Sequence, residues 1–278
     1  MLPTRRDLRF KLTPESVRNW HAQGPQVAHF FNALSIFFPT GERFFINSVR
    51  QYRERVTDPE LQKAITAFIG QEAMHGREHE EYNDLLAQAG FPIHRMEGRV
   101  NALLEWGKKK LPAISQLSAT IALEHFTAIM ADRLLRKPDM IASADPRMVA
   151  LWRWHALEET EHKAVAFDVY RAVRKPSLKN YITRSSGLLI ATVIFLGFAH
   201  AYQRELVNAD KTIGKWDGMG NYLRFMFAKG GFVRDMAGPW FDYLKPGFHP
   251  WDHDNRHFLA EIDTLIAEAK RFDMQEAA

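Results

Sequence analysis

Between Gln26 and Phe38 apolar side chains recur at helical spacing and are rich in phenylalanine. No stretch of useful length alternates apolar and polar positions, so the chain is expected to be all-α. Pro39, Thr40 and Gly41 interrupt the first run and a second, GERFFINSVRQYRERV, begins at once; one kinked helix and two helices are both open. Asp58-Pro59 then opens a long helix, because Asp caps well and Pro suits the first turn, and Gly90 and Pro92 end it near Gln88. A connecting helix is expected from Arg95 to Leu111 and another from Pro112 to about Arg136. Asp145-Pro146 repeats the opening for a helix reaching about Arg174. After Lys175-Pro176 comes an apolar helix, then broken periodicity from Asn208 to Asp254, then an amphipathic helix from about Arg256 to Phe272. The expected organisation is an arm over 1–25 with a short helix after Thr13-Pro14-Glu15, a four-helix bundle over 26–175, and a helical extension over 176–278 packed on it.

Two of these helices carry the same polar motif. Gly70 to Tyr82 reads GQEAMHGREHEEY, with Glu72 and His75 three apart and His79 a turn later. Trp152 to Asp168 reads WRWHALEETEHKAVAFD, with His155, Glu159 and His162 on one helix face. Glu72 and Glu159 each stand 14 residues beyond their own Asp-Pro cap, about 21 Å along the axis at 1.5 Å per residue. The helices preceding those caps run antiparallel and pass the same level near Glu42 and Glu124. Glu124 is the only acid between Glu105 and Asp132, and a buried lone carboxylate requires a cation or a strong hydrogen-bond partner. Two Glu-x-x-His pairs with two further glutamates form the pattern of a carboxylate-bridged two-metal site in a bundle core. The predicted ligands are Glu42, Glu72, His75, Glu124, His155, Glu159 and His162, with His79 behind them, while Glu78, Glu80, Glu81, Glu158 and Glu161 fall off the inward face and are expected in solvent.

Composition narrows the chemistry. The 278 residues contain no cysteine, so thiolate ligands, cysteine nucleophiles and disulfides are excluded and any metal must be held by imidazole and carboxylate. A net charge of +4 with Lys and Arg scattered among acids gives nucleic-acid binding little support. The N-terminus, MLPTRRDLRFKLTPES, has no apolar run after Arg5 and Arg6, so no secretory signal is read and a cytoplasmic location is expected. Ser185 to Gln203 carries no formal charge over 19 residues; two glycines, two serines, Thr192 and His200 favour a buried or interfacial helix over a spanning one, leaving peripheral membrane contact open. His249, His253 and His257 with Asp252 and Asp254 read as a loop with a capped helix start, since Pro250 breaks any ligand spacing.

Glu42, Glu72-x-x-His75, Glu124 and Glu159-x-x-His162, in that order, resemble the ferritin-like diiron-carboxylate superfamily over about residues 26–175. The resemblance implies a ferritin-like four-helix bundle, here with additional N- and C-terminal helices. His155, one turn before Glu159, makes the site similar to that of the p-aminobenzoate-type diiron N-oxygenases. Chain length and the stretch around WHALEETEHKAVAFDVY also look similar to a bacterial family labelled "predicted metal-dependent hydrolase". The first expectation is a dinuclear iron oxidase or oxygenase that uses O2 and a separate electron donor on a small, largely apolar substrate. A binuclear hydrolase with zinc or manganese is the alternative, and a non-enzymatic iron-binding bundle the third reading. Homodimerisation is left open.

Overall fold

A computed structural model describes residues 2–141 and 144–276. Its first helix, α1 (Pro25–Arg50), is single and carries Pro39 inside it. Proline withholds the amide that would bond the carbonyl four residues back, here that of Ser35, and Asn83 Nδ2 from the next helix donates to this carbonyl at 3.3 Å. The interruption legible in the sequence is thus bridged by a neighbouring side chain.

α2 (Pro59–Gln88), α3 (Ile93–Lys110), α4 (Ala113–Arg136) and α5 (Pro146–His162) follow, and α1 packs on α2 as α4 packs on α5. Both Asp-Pro openings act as caps: Asp58 accepts from the amide of Glu60 at 2.9 Å, and Asp145 from that of Arg147 at 2.9 Å. α5 stops at His162, short of the expected end, and α6 (Val165–Val173) resumes after a turn. The break frees Lys163 to place its buried ammonium on the carbonyl of His253 (2.6 Å), on Asn255 Oδ1 (2.7 Å) and over the Trp251 ring. A buried charge needs such partners.

The arm departs from expectation too. No helix follows Thr13; the Ser16 amide closes a turn on the Thr13 carbonyl at 3.0 Å. Phe10, Val17 and Trp20 are buried in the core, and the Trp20 carbonyl accepts from the Asp145 amide. Those anchors hold the segment against the bundle.

α7 (Leu178–Ala209) contains the uncharged stretch, followed by α8 (Met219–Phe227), α9 (Phe232–Asp242) and α10 (Ile262–Glu276). The last helix starts later than expected because Arg256–Glu261 is wound as a 3₁₀ turn. α7 is the one described helix long and apolar enough to cross a membrane, by length and composition only. It lies on α1 and α4 with Leu188, Ala191, Ala199, Tyr202 and Leu206 buried. Gly187 permits that approach, since a Cβ there would stand 3.0 Å from the Ser118 carbonyl oxygen. No strand occurs among the described residues, so the fold is an all-α bundle.

Candidate metal centre

α1, α2, α4 and α5 bring Glu42, Glu72, His75, Glu124, His155, Glu159 and His162 together in the bundle interior, all buried. Three overlapping groups have ligand atoms within 4.8 Å of one another: Glu42 with His75 and His155, Glu72 with His75 and Glu159, and Glu72 with Glu124 and His162. Glu159 straddles the halves. Its Oε1 lies 3.1 Å from His155 Nε2 and 3.8 Å from His75 Nδ1, and its Oε2 lies 3.6 Å from His162 Nε2.

The imidazoles are oriented from outside. Asn83 Nδ2 donates to the Ser35 carbonyl and to Glu97, which leaves Asn83 Oδ1 to accept from Ser35 Oγ at 2.8 Å. Ser35 Oγ then accepts from His79 Nδ1 (2.9 Å), and His79 Nε2 accepts from His155 Nδ1 (2.8 Å). This donor order turns a lone pair on His155 Nε2 towards Glu42 and Glu159. His79 therefore stands behind His155. His162 Nδ1 donates to Gln71 Oε1 at 2.9 Å, turning Nε2 inward, and His75 Nε2 donates to Glu158 at 3.1 Å, turning Nδ1 inward.

Four carboxylates and three imidazole nitrogens consequently face one another. Both oxygens of Glu42, Glu72 and Glu124, with His75 Nδ1 and His162 Nε2, have no hydrogen-bond partner although they are buried. Burial raises the carboxyls of Glu42 and Glu124 well above the usual range, and neighbouring Glu72 and Glu159 add to it. Glu72 is raised as well, chiefly by burial and against the pull of His162. Burial acts on Glu159 in the same sense, but His162 and His155 outweigh it and hold this carboxyl well below the usual range. For His162 the burial penalty is outweighed by Glu159 and Glu72, which raise it well above a free imidazole, whereas burial and then His155 lower His75. A full set of ionised carboxylates at this spacing requires cations between them. The donors are oxygen and imidazole nitrogen throughout, a set that suits divalent iron, manganese or zinc.

Three glutamates expected in solvent are buried instead. Glu158 and Glu161 are covered by the arm, whose Arg6 bonds Glu161 at 2.8 and 3.1 Å and Glu158 at 3.1 Å, and Gln71 Nε2 reaches Glu161 at 2.6 Å. Burial pushes Glu158 up to about 7 against the opposing Arg6. Glu78 meets Arg77 at 2.7 Å and Arg9 at 3.4 Å. Glu80 and Glu81 are exposed, as expected. Arg6, Gln71, Ser35, Asn83 and Thr127, which bonds Glu159, are parts of the site that the Glu-x-x-His motif does not name. Gln71 adjoins Glu72, Asn83 and Thr127 stand one turn beyond His79 and Glu124, and Ser35 stands two turns before Glu42, so helical spacing could have found them; Arg6 alone comes from a segment with no such signal.

His249 caps a 3₁₀ turn and pairs with Asp168 at 2.9 Å, and His253 pairs with Asp242 at 3.2 Å. That cluster is the loop with a capped start that its sequence suggested.

An apolar chamber of about 610 Å³ lies between α1, α3, α4 and α7 and reaches the centre at Glu42 and Thr127. Phe37, Phe38, Phe45, Phe126 and Phe195 belong to its walls. A smaller void of about 40 Å³ abuts His155 and Glu159. No curated protein and no solved structure matches the chain. A family model described as "predicted metal-dependent hydrolase" matches residues 4–254, and the chain belongs to that family.

Proposed function

We propose that the seven buried side chains hold two divalent cations and that the chain is a metal-dependent enzyme acting on an apolar molecule held in the chamber. The carrying observation is the cluster of buried, unpartnered carboxylate and imidazole atoms at the chamber's inner end. When bound, such a pair supplies two electrons for dioxygen if it is iron, or activates a water nucleophile if it is zinc or manganese. The protein's own part is to fix ligand orientation through Gln71, Glu158 and His79 and to keep water away with the phenylalanine walls.

Of the two chemistries our first reading is oxidation in a ferritin-like diiron site, with O2 as oxidant and a separate reductase as electron donor, and two features support it. Among the described residues that line the chamber, Glu42 apart, there is no carboxylate, imidazole, amine or phenol that could protonate a leaving group. The four carboxylates are all glutamates, and the void beside His155 is lined almost wholly by apolar side chains, a setting that suits a small apolar gas. Hydrolysis is the second reading, favoured by the family's description.

The test is anaerobic loading with Fe(II), Mn(II) or Zn(II), followed by metal analysis, oxygen uptake and hydrolysis of long-chain esters. Two irons per chain with oxygen uptake supports oxidation; ester cleavage by the zinc or manganese form without oxygen uptake assigns hydrolysis; metal binding with neither leaves a storage or scaffold role. Glu159→Ala should abolish metal binding in every case. His155→Ala should keep much of the metal and lose turnover, an outcome read as retained metal content with no product.

A further inference from the structure

α3 and α7 lie on the same side of the bundle and are tied at one end. Tyr202 Oη donates to the Met96 carbonyl at 2.6 Å, and Arg99 pairs with Glu205 at 2.7 Å. Towards the other end the chamber opens between them. Its walls there are Trp106 of α3, Leu111 just past that helix, and Ile182, Ile190 and Ile194 of α7, and all five are exposed at the surface. The surface beyond the mouth is apolar as well: Leu178 and Val193 are 74% and 75% exposed, with Leu189 and Leu196 about half exposed. Phe241 of α9 extends this face, because the adjoining Trp240 bonds Thr192 of α7 at 3.0 Å. Exposed Lys109 and Lys110 close α3, and exposed Lys175 and Lys179 flank the start of α7.

We propose that this face beds into an anionic lipid leaflet, with α7 in the plane of the membrane and the chamber mouth open to the acyl layer. A contiguous apolar face of this kind marks an interaction site, and an apolar face beside lysines is how a helix lies in a lipid interface. α7 does not span the bilayer here, because its other face is packed on α1 and α4. A second copy laid on the same surface would seal the mouth. A lipid leaflet leaves it open, and a lipid-dissolved molecule then reaches the chamber without crossing water. Lys109, Lys110, Lys175 and Lys179 supply attraction to anionic headgroups. The inference does not rest on which reaction the metal centre performs.

Flotation of the full chain with phosphatidylcholine vesicles, with and without phosphatidylglycerol, tests it. Binding is expected only with the anionic lipid and should weaken in high salt. Val193→Asp, at an exposed position that lines no part of the chamber, should abolish binding while melting temperature and metal content stay as in the wild type. Lys109→Glu with Lys110→Glu should weaken binding at least roughly thirtyfold. The proposal is overturned if the wild type stays in solution with both vesicle types, or if it is a dimer that Val193→Asp splits, which would make the face a contact between copies.

Discussion

A single asparagine does two jobs in this site. Asn83 supplies the donor that Pro39 removes from the Ser35 carbonyl, and it orders the hydrogen bonds that run through Ser35 and His79 to His155. Asn83→Leu should therefore leave a buried carbonyl unsatisfied, costing about 1–3 kcal/mol of stability, and release the orientation of His155. Metal affinity should fall by about 10–100-fold, as for other outer partners of ligating histidines. A chelator-competition titration reads this, and an unchanged affinity would remove the orienting role. That Glu72, His75, Glu159 and His162 would meet was legible because Glu-x-x-His spacing is set by helix geometry alone. Glu158 and Glu161 were not, since helix geometry puts them off the face of Glu159; they turn to α2, where they meet His75 and Gln71, and Arg6 from the distant arm closes over them. Asn83 was half legible: Pro39 announces an orphaned carbonyl without saying which side chain will meet it.

At the scale of elements, the helix starts could be read because Asp-Pro is a local signal. The break after His162 could not, since it depends on what Lys163 meets in the loop around His253. The glycines of α7 carry a similar lesson. In the sequence they only weaken a membrane-spanning reading, yet Gly187 and Gly197 differ sharply in their surroundings. A Cβ on Gly187 would lie 2.2 Å from Ser118 Oγ and 3.2 Å from the Ser118 carbonyl carbon, so backbone would have to move. Gly187→Ala should lose about 1–3 kcal/mol through overpacking, more than the helix propensity it gains. Gly197 has nothing within 4 Å, so Gly197→Ala should instead gain up to about 1 kcal/mol. Urea unfolding of the two variants decides the matter, and equal shifts in both would show that α7 does not press on α4 at Gly187.

For the whole molecule, the metal centre couples charge to stability. In the metal-free protein the carboxyls of Glu42 and Glu124 are raised far above the value of 4.5 that they have when unfolded, so the folded state binds protons that the unfolded state releases. The stability that comes with those protons is fully present below pH 4.5 and is lost progressively as pH rises towards the folded values. Glu159 works the other way, being lowered, but it is one carboxyl against the raised Glu42, Glu72 and Glu124. Cations held among the four glutamates would keep them ionised without that penalty, and loading would then expel the protons. Elsewhere, burial lowers His21 and His125 to about 4, so both destabilise the fold as pH falls from 6.5 towards 4. They do so equally with and without metal and cancel in the difference. The gap in melting temperature between loaded and stripped protein should therefore widen steadily from pH 5 to pH 8, and calorimetric titration in buffers of different ionisation enthalpy should register proton release on loading. A gap that stays constant across that range would mean that the stripped site keeps its carboxylates ionised, and the four glutamates would then have to be balanced by some charge other than metal.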